Sequence, residues 1–259
     1  MSTTITDPLL VAREGAVLTL TLNRPEKLNS LDITLLRSLG EAIKEAREDQ
    51  SVRAVVITGA GRGFSAGADL AEGGREDVRR RLSLRYAPII TAMREMEKPI
   101  VAAVNGVAAG AGMSLTLAAD FRIAAESASF LLAFARIGLI PDAGATFMLP
   151  RLIGLGRAME LAMLADQIPA AEALRIGLVN RVVPDADLSA AAHELAERLA
   201  RGPFSLGLIK RALNQGVVND LAGQLRCEED LQGLAFASAD FGEGVRAFAE
   251  KRPAKFEGH

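Results

Sequence analysis

The sequence predicts an α/β layered core followed by a helical tail, and three observations carry that expectation. Short apolar runs of strand type alternate with segments of helical spacing through roughly the first 150 residues. Two of those runs lead straight into loops rich in glycine and alanine. Beyond about residue 155 the strand signal gives way to one helical segment after another.

The elements follow in chain order. "AVLTLTL" (16–22) alternates apolar residues with threonine, as a half-buried strand does, and "LVARE" ahead of Gly15 supplies a hairpin partner. After "RPEKLNSL", Leu35, Leu36, Leu39, Ala42, Ile43 and Ala46 recur at helical spacing, with Ser30 or Asp32 placed to cap the first turn. "AVVIT" from Ala54 reads as the next strand, and Tyr86, Ile89, Ile90, Met93 and Met96 mark a helix. "PIVAAVN" is a third strand and "GVAAGAGMSLTLAAD" a glycine-rich turn into a small-residue helix, with "FRIAA" and "SFLLAF" as further strands. "GRAMELAMLAD", "AAEALRIG", "LSAAAHELAERLARG", "PFSLGLIKRALNQG" and 219–237 all read as helices. A boundary near residue 199 separates a core (1–198) from a helical region (199–259) that packs on its own body or on a neighbouring subunit.

Composition narrows the function classes. The 259 residues are 49% hydrophobic, enough for a large core, and the net charge of −2 is spread through mixed acidic and basic positions. That gives no electrostatic footprint for nucleic acid or an anionic membrane. The single cysteine, Cys227, excludes an internal disulfide. No apolar run reaches the ~18 residues that span a bilayer, and "MSTTITDPLLVAREG" lacks the regions of a signal peptide, so a cytoplasmic protein is expected.

"VVITGAGRGFSAGADL" (55–70) has the form of a strand feeding a phosphate loop, but its spacing excludes a dinucleotide fingerprint. Counting from Gly59 the third glycine position holds Phe64, and counting from Gly61 it holds Ala66. The short-chain dehydrogenase pairing fails too, because Tyr86 is followed four residues on by Ile90, and no Gly-Lys-Ser/Thr makes a Walker loop. A second small-residue loop, "NGVAAGAGMS", again follows a strand. Two such loops can aim two backbone amides at one point, which is the geometry of an oxyanion hole, although either loop alone is equally a device for close helix–strand packing.

"RPEKLNSL", "GRGFSAGADL", "KPIVAAVNGVAAGAGMSL", "GLIPDAGATFMLPRLIG" and "FAEKRPAKF", in that order, resemble the crotonase (enoyl-CoA hydratase/isomerase) superfamily along nearly the whole chain. "AAGAG", "GLIPDAG" and "LIKRALN" are most similar to its ring-1,2-epoxyphenylacetyl-CoA isomerase branch. The resemblance implies a crotonase-like ββα spiral core with a C-terminal helical oligomerisation region, assembled as a homotrimer or dimer of trimers. It implies an acyl-CoA substrate and no separate cofactor, CoA being part of the substrate, with no metal.

By the same resemblance, the amides of Ala68 and Ala111 hold the thioester oxygen. Lys27, Leu28, Ala66, Ala68, Asp69 and Leu70 wall the CoA site, and Lys251 reaches the phosphates, unless it is a solvated cation at a helix end. The two glutamates with which the hydratases handle water correspond to Ser114 and Phe134, the latter taken as lying on a strand. Asp142 matches the acid–base aspartate of the isomerases. Taken without the family, Pro-Asp before a helical run is an ordinary N-cap; with both glutamates absent, Asp142 becomes the proton carrier. Its pKa is expected above the ~3.9 of free aspartate, raised by Phe134, Leu139, Ile140 and Phe147 and opposed by a helix beginning near Ala143. The resulting expectation is an acyl-CoA isomerase. The alternatives are an enoyl-CoA hydratase and a non-catalytic acyl-CoA- or RNA-binding member of the fold.

Overall fold

The computed structural model describes residues 7–72 and 77–259, so the loop "AEGGREDVRRRL" (71–82), one of those expected to wall the acyl pocket, lies partly outside the described residues. The chain opens on a hairpin of β1 (Leu9–Glu14) and β2 (Val17–Leu22), closed at Gly15, whose φ of 57° suits glycine. Asp32 rather than Ser30 caps α1 (Ile33–Glu48): its carboxylate accepts from the amide of Leu35 at 2.7 Å. The six apolar positions of the helical stripe are all buried.

Next come β3 (Ala54–Gly59), β4 (Gly63–Ser65), α2 (Val78–Arg81) and α3 (Ala87–Glu95), then β5 (Ile100–Val104), β6 (Val107–Ala109) and α4 (Ala111–Ala118). β7 (Phe121–Ala125) and β8 (Ser129–Leu131) complete the pattern. The pairs β3/β4, β5/β6 and β7/β8 each give one strand to each of two sheets. The larger is ordered β1-β2-β3-β5-β7-β10 and the smaller β4-β6-β8-β9. Successive pairs stack in parallel, so the chain advances as a spiral of strand pairs with α4 at its centre. Every residue of α4 is buried, which explains its sequence of small and apolar residues, with the hydroxyls of Ser114 and Thr116 donating to the carbonyls of Gly110 and Met113.

The second half contributes α5 (Ala145–Ile153), α6 (Leu155–Leu164), β9 (Ile168–Pro169), α7 (Ala170–Arg175), β10 (Arg181–Val183) and α8 (Leu188–Ala200), which packs on the larger sheet. The last helices are α9 (Ser205–Gly216), α10 (Leu221–Phe236) and α11 (Ala239–Glu250), with α9 against α10. Side chains fasten this tail to the chain's own body. Lys210 donates to the carbonyls of Met93 (2.8 Å) and Lys98 (3.1 Å) and pairs with Asp120 at 2.8 Å. Buried Asp240 accepts from the amides of Phe204, Glu257 and Gly258.

The structure departs from the sequence expectation in four places. "GVAA" is largely the strand β6, and "SFLLAF" is only three residues of strand before a 3-10 turn, Ala133–Ile137. Phe134 therefore sits on that turn and not on a strand. The helix after "IPDAG" starts at Ala145, not near Ala143.

Candidate active site

The loop "RPEKLNSL" is pinned by its asparagine. Leu28 and Asn29 both have positive φ, 49° and 54°, a conformation that asparagine tolerates better than most residues. Fully buried, Asn29 donates from Nδ2 to the carbonyls of Ala60 (2.9 Å) and Gly63 (2.7 Å), and its Oδ1 accepts from the amide of Arg24 at 2.8 Å. Ser65 returns a bond from its hydroxyl to the Asn29 carbonyl at 2.8 Å. These bonds join the loop and the glycine-rich segment after β3 into one unit.

Arg24 ties in the next residues, donating to Asp69 at 3.0 Å and pairing with Asp32 at 3.2 Å. Asp69 also accepts from Ser30 Oγ and the Ala71 amide, and Lys27 stands 3.6 Å away. Burial opposes ionisation of Asp69, but the Arg24 bond, the Ala71 amide and the nearby cations outweigh it and hold the carboxyl below its usual range. Its carboxylate is thus committed to ordering the loop. Neither Asn29 nor Arg24 stood out in the sequence; a turn-type residue between Leu28 and Leu31 was the only signal for the first.

The two small-residue loops meet. Leu31 donates its amide to the Gly67 carbonyl (2.7 Å) and accepts from the Asp69 amide (3.1 Å). In this parallel bridge Ala68, the residue between them, turns its own N–H to the opposite side. Ala111 is the first residue of α4, where an amide has no partner within the helix. Among the described residues, neither N–H has a backbone acceptor. Gly67 brings the loops together: at its φ of 92°, a Cβ would stand 2.7 Å from the Ala109 carbonyl oxygen and 3.2 Å from the Ala111 nitrogen. Gly112 makes a similar approach to Ser65, so only hydrogen fits at either Cα.

Asp142 does not cap α5. Gly144, at a φ of 80°, holds the cap position, and the Ala145 amide bonds to the Asp142 carbonyl, not to its carboxylate. The Asp142 Oδ1 is buried and has no hydrogen-bond partner among the described residues. Burial raises its pKa to about 6, against the nearby positive charge of Arg81. Raised pKa and opposing influence match the expectation in kind, but the opponent is Arg81 and not a helix terminus. Leu139 and Ile140 are 50% and 79% exposed, too open to account for the desolvation.

The adjoining residue, Ala143, lines a small apolar pocket with Ala111, Leu31, Tyr86 and Ile90. The turn carrying Asp142 and the start of α4 therefore face one space. A larger apolar groove between α5 and α9 holds none of the candidate residues. Ser114 is fully buried and donates to the Gly110 carbonyl at 3.3 Å, and Phe134 is buried. Ala66 and Leu70 are exposed beside the first loop, the Ala66 amide being used by the Leu28 carbonyl at 2.8 Å. Lys251 is exposed at the end of α11, and no described contact brings it to the two loops.

The family model for enoyl-CoA hydratase/isomerase matches residues 12–259. The chain belongs to the enoyl-CoA hydratase/isomerase family. Over 252 residues it is 46% identical to the 1,2-epoxyphenylacetyl-CoA isomerase of Escherichia coli K12, covering 95% of this chain and 96% of that one. It is 38% identical to the crotonyl-CoA hydratase of Syntrophomonas wolfei, covering 96% and 97%. The crystal structure of an enoyl-CoA hydratase from Bacillus anthracis superposes with a TM-score of 0.93 at 38% identity, covering 97% of this chain and all of that one. As an enoyl-CoA hydratase/isomerase family enzyme the chain acts on acyl-CoA, and its crotonase fold is the spiral described above. Among the described residues no helix is long and apolar enough to cross a membrane.

Proposed function

We propose that this enzyme is an acyl-CoA isomerase with a single proton carrier. The amides of Ala68 and Ala111 hold the thioester oxygen. Asp142 takes a proton from the carbon beside the thioester carbonyl, and the electron pair moves onto that oxygen as an enolate. The same proton is returned further along the acyl chain, so the double bond shifts with no net gain or loss of atoms. A 3-enoyl-CoA is the simplest substrate of this kind, and ring-1,2-epoxyphenylacetyl-CoA is the one suggested by the named Escherichia coli relative.

The observation that carries this reading is the buried, unpartnered oxygen of Asp142, on a carboxyl titrating near 6. A carboxyl of that pKa gives and takes protons readily near neutral pH. Backbone of Lys27, Leu28, Ala66, Ala68, Asp69 and Leu70 would line the CoA chain, with the Lys251 ammonium at the phosphates from a neighbouring subunit. Hydration is the second reading, favoured by the crotonyl-CoA hydratase relative. It requires groups that orient and activate water, and at the matched positions the Ser114 hydroxyl is engaged with Gly110 while Phe134 has no proton to move. Crotonyl-CoA hydration is therefore expected to be absent or very slow beside 3-enoyl-CoA isomerisation, and comparable rates of the two would reverse the assignment.

The assembly proposed with this activity is a trimer or a dimer of trimers. The tail exposes Leu213 (69%), Phe236 (66%) and Phe248 (88%), apolar surface that a subunit partner would cover. Light scattering at micromolar concentration should give the trimeric or hexameric mass; a monomer would contradict it.

A further inference from the structure

The helix wall beside Asp142 is irregular for a reason that lies in the sequence. In "VRRRLSLRYAPIITAMRE" (78–95), Pro88 has no N–H to return to the carbonyl of Leu84, and its ring crowds that carbonyl. The helix opens into a π-turn over Leu82–Tyr86, where the amide of Ala87 bonds to the Leu82 carbonyl five residues back. One extra residue is thereby absorbed in the turn. Arg81 and Tyr86, five apart, stand as an i, i+4 pair would, and Arg81 and Ile89 as an i, i+7 pair would. In an unbroken α-helix those spacings would rotate Arg81 off their face.

That face is the one turned to the pocket. Tyr86, Ile89 and Ile90 line it together with Ala111 and Ala143. The turn after Asp142 rests on the same helix, since a Cβ on Gly144 would lie 3.4 Å from Ile90 Cγ2. Arg81 is half-buried, and its guanidinium has no hydrogen bond or ion pair among the described residues. Among the described residues Arg81 is the cation whose charge opposes the effect of burial on Asp142. The other ionisable groups on neighbouring elements are occupied or exposed. Arg151 stacks 3.6 Å over Phe147 and donates to its carbonyl, Arg136 is exposed on the 3-10 turn, Arg85 has an interaction of its own, and Asp69 is closed in by Arg24 and Lys27.

We propose that Arg81 is a positioning residue that acts on the reaction through Asp142, the π-turn holding its guanidinium as the counter-charge that lets this carboxylate enter the cycle as a base. The proposal rests on the reading of Asp142 as proton carrier. It adds that the proline-induced irregularity of the helix is part of the catalytic apparatus. Removal of the cation should leave acyl-CoA binding intact and shift the pH at which the base is ready.

The test is Arg81→Gln, with Arg81→Lys as the charge-conserving partner, followed in two independent ways. Carbon-13 NMR of aspartate-labelled protein reads the Asp142 titration directly, and the pH profile of kcat on a 3-enoyl-CoA reads its use. In Arg81→Gln both midpoints should move up by about 0.5–1 unit, so that turnover near pH 5 falls about three- to tenfold while the alkaline plateau is kept. Arg81→Lys should restore both. An unmoved Asp142 titration overturns the role of Arg81 and leaves the isomerase reading standing. A titration that moves while the rate profile stays put shows that Asp142 is not the base, and overturns that reading together with the role of Arg81 in the reaction.

Discussion

Asp142→Asn is expected to lose at least ~10²-fold in isomerase turnover and, at pH 8, to melt higher than the parent enzyme. The two effects have one cause. In the folded protein burial keeps this carboxyl protonated up to about 6, whereas the unfolded chain releases the proton near the ordinary aspartate value of 3.8. Between those values the folded state holds the extra proton, so stability falls as pH rises from about 4 to 6 and remains lower above that range. The amide of Asn has no charge to bury and escapes that loss. Allowing for the part of the group that is open to solvent, the gain at pH 8 is about 1–2 kcal/mol, and it should vanish below about pH 4. Calorimetry at the two pH values and turnover on a 3-enoyl-CoA check both halves. A variant that stays active and melts lower would return Asp142 to a purely structural part.

Ala111→Pro should reduce turnover by ~10²–10³-fold while the protein folds and still binds CoA. Proline is welcome at the first position of a helix because the amide it lacks has no helical acceptor there, and Ala111 opens α4. The substitution therefore removes one hydrogen-bond donor at little expense to the helix. Ala68→Pro makes the companion test, since the bonds of the bridge to Leu31 run through Gly67 and Asp69 and not through the Ala68 amide. Near-normal turnover in either folded variant would mean that the thioester oxygen is held elsewhere.

Periodicity revealed most of the larger sheet and most helices, because β2, β3, β5 and β7 are runs of five or six residues and the stripe on α1 is unbroken, whereas β10, at three residues, gave no signal. Of the smaller sheet only β8 was signalled, inside the longer apolar run "SFLLAF". β4, β6 and β8 are three residues each and β9 is two, too short for alternation to register, and their pairing is set by the spiral rather than by local pattern. The spiral itself was legible only through family resemblance. At the site, the glycine and alanine loops announced free amides and Asp69 read as a residue ordering the first of them, but the buried Asn29 and the Arg24 that pairs with Asp69 did not stand out. Asp142 read as a cap by local sequence because Pro-Asp commonly is one. Two successive left-handed residues, Ala143 and Gly144, carry the chain past that geometry, and nothing local forecasts a positive φ at an alanine.

Main-chain donors also govern how the enzyme answers mutational scanning. The proposed oxyanion donors belong to residues that are already alanine, so an alanine scan passes over the centre of the reaction in silence. Sensitivity is displaced onto neighbours without chemistry of their own. Gly67 and Gly112, where an added Cβ would strike the opposite loop, should show up as the intolerant positions. A map of substitution tolerance over this protein would thus outline the reacting centre as a rim of forbidden volume around two permissive points.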